Sequence, residues 1–356
     1  MFEAGLGQAK PSVEVDVTKC WSYGTGDSAA AVVATDGGRV FVGTSGARVA
    51  ALSLDGKKLW STELGGDISS NILAVESGLF LATSAISETG TAGGGQLRSI
   101  SKETGVTSWT LKLPEANKHF INSFNGSVIV VSDSGEIQSV EARSGAVTWK
   151  RDLSKGFAAE PVFRDGAVTV AATGGQIFSV SMASGEIDSM LKVPFNLTAL
   201  GRTAAGSIVV GDDRGNVSML ANGSDKPYWK FKSGGEISSI VAIDDNILTA
   251  SHDNFVYLLG GRNGGLGWKR RLAGRIAQIG GVWGKFVLIS SFEEHGAILA
   301  DLANGKVVGQ IALGEKESIV YKPISSNGMI FVATNEAVYS YSLSRCQQNE
   351  KGGSGK

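Results

Sequence analysis

The residues of this chain that could carry chemistry are few and scattered. Two polar clusters stand out, at residues 212–216 and at residues 293–295, the second with a histidine. Calcium needs six to eight oxygen ligands that converge from a shaped loop, and two neighbouring acids supply too few. His119 and His252 are isolated, which argues against a base-assisted nucleophile or a histidine-rich metal site. We therefore predict no catalytic residues, no metal and no cofactor.

The overall charge gives no sign of a nucleic-acid or membrane partner. Lys and Arg number 33 against 34 Asp and Glu, a net charge of −1, so no global field attracts a polyanion. The densest basic run, Lys269 to Arg271 with Arg275, is typical of a solvated outer strand. No segment approaches the roughly 18 apolar residues of a membrane span. The expected partner is another protein that is recognised locally.

Tryptophans mark a repeat of about forty residues. Their successive spacings are 39, 49, 40, 80 and 39 residues along Trp21, Trp60, Trp109, Trp149, Trp229 and Trp268. Ser189 lies midway in the long gap, and Val308 lies forty residues after Trp268, which gives eight positions. The spacing of 49 indicates an insertion between Ser84 and Gly95, which we expect to be a mobile loop.

Each repeat reads as strands joined by tight turns. Runs such as 128–131 are short and β-branched, as expected for strands that are buried on both faces. A glycine usually precedes the tryptophan by four residues and can adopt the positive φ of a hairpin turn. The sequence therefore predicts an all-β, eight-bladed β-propeller of four-stranded antiparallel blades. We expect one domain over 12–346, with flexible segments at 1–11 and 347–356.

The two ends of the chain are predicted to complete one blade. Residues 12–21 resemble a fourth strand without its first three, and residues 327–343 resemble inner strands without their fourth. The N-terminal strand should therefore complete the last blade and remove an open edge. This closure brings the only two cysteines, Cys20 and Cys346, to one hairpin, either as a disulfide or as two free thiols. A disulfide would indicate an oxidising compartment.

The repeat resembles that of the pyrroloquinoline-quinone-like β-propellers. The resemblance rests on the phrase Ala/Ser-x-x-x-x-Gly-x-x-x-Trp, which follows a Gly-x-Val/Ile-x-Val strand, and it covers Val13 to Leu343. Within that superfamily, residues 152–180 and 208–218 are similar to the lipoprotein family of the bacterial outer-membrane β-barrel assembly machinery. That family is a non-enzymatic scaffold of the periplasm or cell envelope, which implies the same class and location for this chain.

The resemblance also implies which loops bind a partner. The family holds the membrane barrel protein with leucine and arginine on one inter-blade loop and with acids on the next. The positions that match in this chain are Phe195, Asn196, Leu197, Glu236 and Ser238. Asn196 replaces the arginine and Ser238 replaces a second acid. Phe195 and Leu197 are open to a second interpretation, as packing beneath the connection.

Further expectations and alternatives accompany this assignment. The chain should be a monomer by itself, with the membrane reached only through a lipid anchor that the given sequence lacks. One alternative is a quinone- or sugar-dependent enzyme that uses the central channel, although such enzymes resemble longer chains with adjacent cysteines, and this chain has no Cys-Cys pair. Another is a generic propeller module with a different partner.

Overall fold

A computed structural model describes residues 15–26, 28–86, 92–221, 223–272, 276–291, 296–343 and 346. Within these ranges the regular structure is entirely β, in 33 strands and eight sheets. The predicted flexible segments 1–11 and 347–356 lie outside the described residues. Arg275 and the cluster at 293–295 also lie outside them.

The strands fall into successive groups along the chain. The first seventeen are β1 (Thr18–Gly24), β2 (Ala30–Thr35), β3 (Arg39–Thr44), β4 (Arg48–Ser53), β5 (Lys58–Glu63), β6 (Asp67–Ile68), β7 (Leu73–Val75), β8 (Gly78–Ile86), β9 (Ala92–Ile100), β10 (Thr107–Lys112), β11 (His119–Phe124), β12 (Ser127–Ser132), β13 (Glu136–Glu141), β14 (Val147–Asp152), β15 (Val162–Arg164), β16 (Ala167–Ala172) and β17 (Gln176–Ser181). The remaining sixteen are β18 (Ile187–Lys192), β19 (Leu197–Arg202), β20 (Ile208–Asp212), β21 (Asn216–Leu220), β22 (Pro227–Lys232), β23 (Ile237–Ile243), β24 (Asn246–Ser251), β25 (Phe255–Gly260), β26 (Leu266–Arg271), β27 (Ile276–Trp283), β28 (Phe286–Ser291), β29 (Gly296–Asp301), β30 (Val307–Ala312), β31 (Ile319–Ser326), β32 (Met329–Thr334) and β33 (Ala337–Ser342).

Each sheet is one blade of the predicted propeller. Blade 1 contains β2–β5, blade 2 contains β6–β10 because its first strand is split, and blades 3 to 7 take four strands each from β11 to β30. Blade 8 contains β31–β33 and β1. The first strands of neighbouring blades contact one another, as β19 and β23 do, so they surround the axis. The prediction of eight four-stranded antiparallel blades is confirmed.

The closure of the ring by the N-terminal strand is also confirmed. β1 pairs antiparallel with β33, with Trp21 opposite Ser340, as the fourth strand of blade 8. Its bounds differ from the prediction, since the strand begins at Thr18 and not at residue 12. Val15 instead lies against blade 7, where its N–H donates to the Val308 carbonyl over 2.7 Å.

The insertion in blade 2 lengthens a hairpin. We expected a loop between Ser84 and Gly95, but these two residues face each other across the pair β8–β9, which continues to Ile86 opposite Ala92. Residues 87–91 at the tip lie outside the described part of the chain. The extra residues add backbone pairing because the alternating strand conformation persists beyond the end of the neighbouring hairpins.

Hydrophobic clusters fill the spaces between blades, because the inner and middle strands are buried on both faces. Ile129 and Val131 face blade 4, for example, while Val128 and Val130 face blade 2. A blade therefore has no stable core alone, and stacking around the axis supplies one.

The tryptophans join each blade to the next along the outer rim of these spaces. Every indole on an outer strand donates its Nε1–H to a backbone carbonyl of the following blade, over 2.7–3.2 Å. Each ring also lies so close to the turn glycine of that blade that a Cβ there would come within 2.5–2.8 Å of it. The glycines in contact with Trp21, Trp60, Trp109, Trp149, Trp229 and Trp268 are Gly56, Gly105, Gly145, Gly185, Gly264 and Gly305.

Two outer strands lack this indole contact. In β18 the register position of the tryptophan is held by Ser189, opposite Ser179. In β30 it is held by Gly309, opposite Leu299, and not by Val308 as the spacing suggested. Val308 is the bulged residue that the ladder skips, and the prediction was wrong by one position because Gly309 lies 41 residues after Trp268 and not forty.

Candidate functional site

The predicted partner-binding residues lie on one rim of the propeller. Antiparallel strands alternate in direction, so the connections between blades share a rim with the turns between the second and third strands. We call the part of this rim formed by residues 193–196, 213–215, 233–236 and 252–254 the binding rim. The backbone ties its parts together, since Asp213 N–H donates to the Asn196 carbonyl and His252 N–H donates to the Glu236 carbonyl.

On the first connection, only one of the three predicted residues, Asn196, is exposed. Leu197 is 4% exposed and packs with Val193 and Leu200, so its side chain has no free surface for a partner. Phe195 is half-buried against the same cluster. Asn196 points to solvent, and its Nδ2 donates to Asp213 Oδ2 over 2.8 Å.

On the next connection, Glu236 and Ser238 are placed differently. Glu236 is half-exposed on the binding rim, with Oε2 3.9 Å from Nδ1 of His252. Ser238 lies inside β23 and donates to the Ala250 carbonyl over 3.4 Å. The structure therefore brings Asn196 and Glu236 to neighbouring connections of one rim, whereas Ser238 belongs to the sheet.

The acids near these residues hold their own turns in place. Asp212 is buried and accepts hydrogen bonds from the backbone N–H groups of Arg214 and Asn216, over 3.0 and 2.8 Å. Asp253 accepts from Gly234 N–H and from the Tyr257 hydroxyl, each over 2.6 Å. Burial, and then this carboxylate, raise the pKa of Tyr257. Hydrogen bonds within the cluster at 212–216 therefore stabilise its own turn. No group of three potential metal-binding side chains occurs among the described residues.

A group of ion pairs at the centre of the ring was not predicted from the sequence. Glu160, in the connection into blade 4, lies 3.2 Å from Lys118 Nζ and 3.8 Å from Lys322 Nζ. Lys322 belongs to blade 8, on the opposite side of the axis, so this contact spans the channel. Burial favours a higher pKa for Glu160, but Lys322 and Lys118 outweigh it and lower the pKa. The side chain keeps 60% exposure, so solvent screens both ion pairs.

His119 and the described residues of the basic run make structural contacts. His119 is buried, with Nδ1 3.1 Å from Ser69 Oγ, and burial lowers its pKa. Arg270 lies on the outer strand β26, where its Nε donates to the Gly305 carbonyl over 2.8 Å. Lys269, on the same strand, lies 5.2 Å from the centre of the Phe255 ring.

The cysteines lie where the ring closes. Cys20, in β1, is joined to Cys346 by a disulfide across 326 residues of sequence, with the two Cα atoms 5.4 Å apart. The cross-link ties the N-terminal strand to the chain that follows β33. No described residue belongs to a helix long and apolar enough to cross a membrane.

Solved structures similar to this chain share its fold at low identity. The computationally designed Ika8 protein superposes with a TM-score of 0.74 at 12% identity, over 91% of this chain and 99% of its own. BamB from Moraxella catarrhalis gives 0.70 at 14% identity, over 94% and 100%. Quinohemoprotein alcohol dehydrogenase from Comamonas testosteroni gives 0.69 at 10% identity, over 95% and 78%. These likenesses establish the propeller fold alone.

The sequence comparisons reach further. No curated protein sequence matches the chain. A family model described as "Outer membrane protein assembly factor BamB" matches residues 13–125 and 94–212, which together exceed half of the 356 residues. The chain therefore belongs to the BamB family of β-propellers.

Proposed function

We propose that this protein is a non-enzymatic scaffold that binds another protein through the binding rim and supports outer-membrane protein assembly in the periplasm or cell envelope. The observation that carries the proposal is the family match together with Asn196 and Glu236 on adjacent connections of one rim. A rigid ring suits this role because the blades supply stability while the loops remain free to recognise a partner.

The polar groups of the rim favour binding over catalysis. Asn196 and Glu236 are accessible, while Asp212 and Asp253 are held by hydrogen bonds within their own blades. Glu160 and its two lysines occupy the axis, where a channel enzyme would need space for its cofactor. The partner that we propose is an outer-membrane barrel-assembly component, with the propeller itself monomeric.

Site-specific photo-crosslinking in the native envelope tests this proposal. A photoreactive amino acid at Asn196 or Glu236 should capture a barrel-assembly component. The matched control is Asp245, an exposed residue of the turn between β23 and β24 on the opposite rim, where no such product is expected. Equal products from all three positions, or none from the first two, would reject the binding rim.

A second candidate is a quinone-dependent enzyme, which the fold shared with the alcohol dehydrogenase favours. Addition of pyrroloquinoline quinone and calcium should then produce bound quinone absorbance and dye reduction. We expect neither for this protein. Either signal, abolished by a bulky substitution in the channel, would favour the enzyme.

A further inference from the structure

Strand β18 is an outer strand without the usual cover. It pairs only with β17 and forms the edge of blade 4. Ser189 stands where six other blades have an indole, and it is exposed. Met190, the next residue, is 55% exposed, and Ile187 is also exposed. An edge with free backbone groups and apolar side chains is a surface that another strand can pair with.

The turn of blade 5 that faces β18 also differs from the corresponding turns of the other blades, because it lacks the glycine that an indole would contact. The residue four places before Trp229 is Asp225, where six other blades have glycine. The two turns have the same length, because Ala221 N–H donates to the Lys226 carbonyl just as Ser181 N–H donates to the Glu186 carbonyl in blade 4. Asp225 therefore occupies the position that Gly185 holds in blade 4. The seam between blades 4 and 5 therefore lacks both halves of the indole contact.

Blade 7 indicates what kind of chain covers such a strand. Its outer strand β30 also lacks the indole, with Gly309 at that position. The chain itself covers this site, because a Cβ on Gly309 would lie 2.8 Å from Val17 Cγ2 and 3.1 Å from the Val15 carbonyl oxygen. Val15 N–H also donates to Val308 over 2.7 Å, and Val308 is buried. An extended Val-x-Val segment therefore replaces the indole here.

We propose that β18 is a docking strand for an extended segment of a partner protein. The segment would pair with the edge of β18 and place β-branched side chains, spaced as in Val-x-Val, on the face that Ser189 occupies, while Met190 lies on the opposite face of the same edge. Three exposed acids lie near the turn end of this strand, Glu186, Asp188 and Asp225, and they outnumber the two cations there, Arg151 and Lys226. Charge complementarity calls for a lysine or arginine at that end of the segment.

Three of the seven other outer strands are protected against such pairing by a lysine after the tryptophan: Lys150, Lys230 and Lys269. A lysine on an edge strand opposes pairing because its charge would lose water in the contact. Met190 holds this position in β18 and carries no such penalty.

The edge of β18 consists of other residues than the binding rim, but the two surfaces adjoin. β18 ends at Lys192 and leads directly into the connection that carries Phe195 and Asn196. One partner could therefore contact both surfaces. The inference goes beyond the proposed function, since any protein that offers such a strand satisfies it.

A fluorescein-labelled hexapeptide, Lys-Val-Thr-Val-Thr-Val, tests the inference by fluorescence anisotropy with the purified protein. We expect saturable binding to the wild type and at least tenfold weaker binding to Met190→Lys. The matched control is Ser61→Lys, which adds the same charge at the same register position of β5, beside Trp60. It should bind as the wild type does. Replacing the peptide lysine by glutamate should weaken binding severalfold.

Three results would overturn the inference: no saturable binding to the wild type, equal binding to Met190→Lys, or an equal loss in Ser61→Lys. Both substituted side chains are exposed, so both variants should keep the wild-type Tm, which checks their folding. If the crosslinks at the binding rim fail while the peptide still binds, only the proposed function is rejected. If the crosslinks form while the peptide does not bind, only the docking strand is rejected.

Discussion

The seam between blades 3 and 4 and the seam between blades 4 and 5 join similar sheets by different means. At the first, Trp149 lies against Gly185 and its Nε1–H donates to the Met182 carbonyl over 3.2 Å. At the second, Ser189 and Asp225 occupy the two corresponding positions. The indole and the glycine are thus present together or absent together across a seam. One sequence repeat contains both a turn glycine and a tryptophan, but the two do not contact each other. The tryptophan contacts the glycine of the following blade, and the glycine contacts the tryptophan of the preceding blade.

The largest expected effect is the loss of an indole at one of the two most buried positions, Trp229 and Trp268. Trp229 is 8% exposed and Tyr228, beside it, is 70% exposed. Trp229→Ser should lower the free energy of unfolding by about 3–4 kcal/mol, because it leaves a cavity and an unpaired carbonyl at Gly261. Tyr228→Ser should cost under about 0.5 kcal/mol. Denaturant unfolding measures both, and similar losses would contradict the role of the seam.

A glycine substitution tests the other half of the contact. Gly145 has φ +76° and a Cβ there would lie 2.8 Å from the Trp109 ring, whereas Gly126 has φ +79° with no described atom within 4 Å. Gly126→Ala should cost about 1 kcal/mol through backbone strain alone. Gly145→Ala should cost about 2–3 kcal/mol, because the ring must also move. Equal losses in thermal or denaturant unfolding would show that the ring tolerates the methyl group.

Restoring the contact should make the two seams alike. We expect Ser189→Trp with Asp225→Gly to raise the free energy of unfolding by about 1 kcal/mol. Ser189→Trp alone should gain nothing, since the Cβ of Asp225 would occupy the space that the ring needs. A double-mutant cycle measures this coupling. Additive effects of the two changes would contradict the pairing of indole and glycine.

The closing blade should respond to acid more than these seams. Glu317 is buried there and accepts hydrogen bonds from the Tyr339 hydroxyl, Gly314 N–H and Thr334 Oγ1. Burial favours a higher pKa, but these bonds outweigh it and lower the pKa of Glu317 from its usual value. Its contribution to stability is therefore present above the unfolded pKa and is lost as the pH falls through the folded pKa.

The pH dependence of unfolding checks this small effect. Glu317→Gln should make the loss of stability in acid shallower than in the wild type. Glu63→Gln, at an exposed carboxylate paired with Arg48, serves as the control and should leave the profile unchanged. An unchanged profile for Glu317→Gln would show that other carboxylates govern unfolding in acid.

The fold could be predicted from the sequence because the residues that indicate it recur periodically. Tryptophan and turn glycine repeat once in each blade, so blade number and closure could be predicted. The spacing between blades is only approximately forty residues, so it indicated Val308 in blade 7, whereas the four-residue spacing after the turn glycine Gly305 gives Gly309. The binding rim was predictable only in part, since burial separates Leu197 from Asn196. The contact between Glu160 and Lys322 was out of reach, because it joins opposite sides of the axis.

The pairing of β1 with β33 has a consequence for synthesis. Tyr23 lies opposite Val338, so β1 can find its place only after β33, which lies 315 positions later, has been made. Until then blade 8 has a vacant outer position, and the nascent ring stays open to solvent and to chaperones. Contacts of such long sequence separation form slowly. Completion of this last blade should therefore set the moment at which the molecule becomes resistant to proteases.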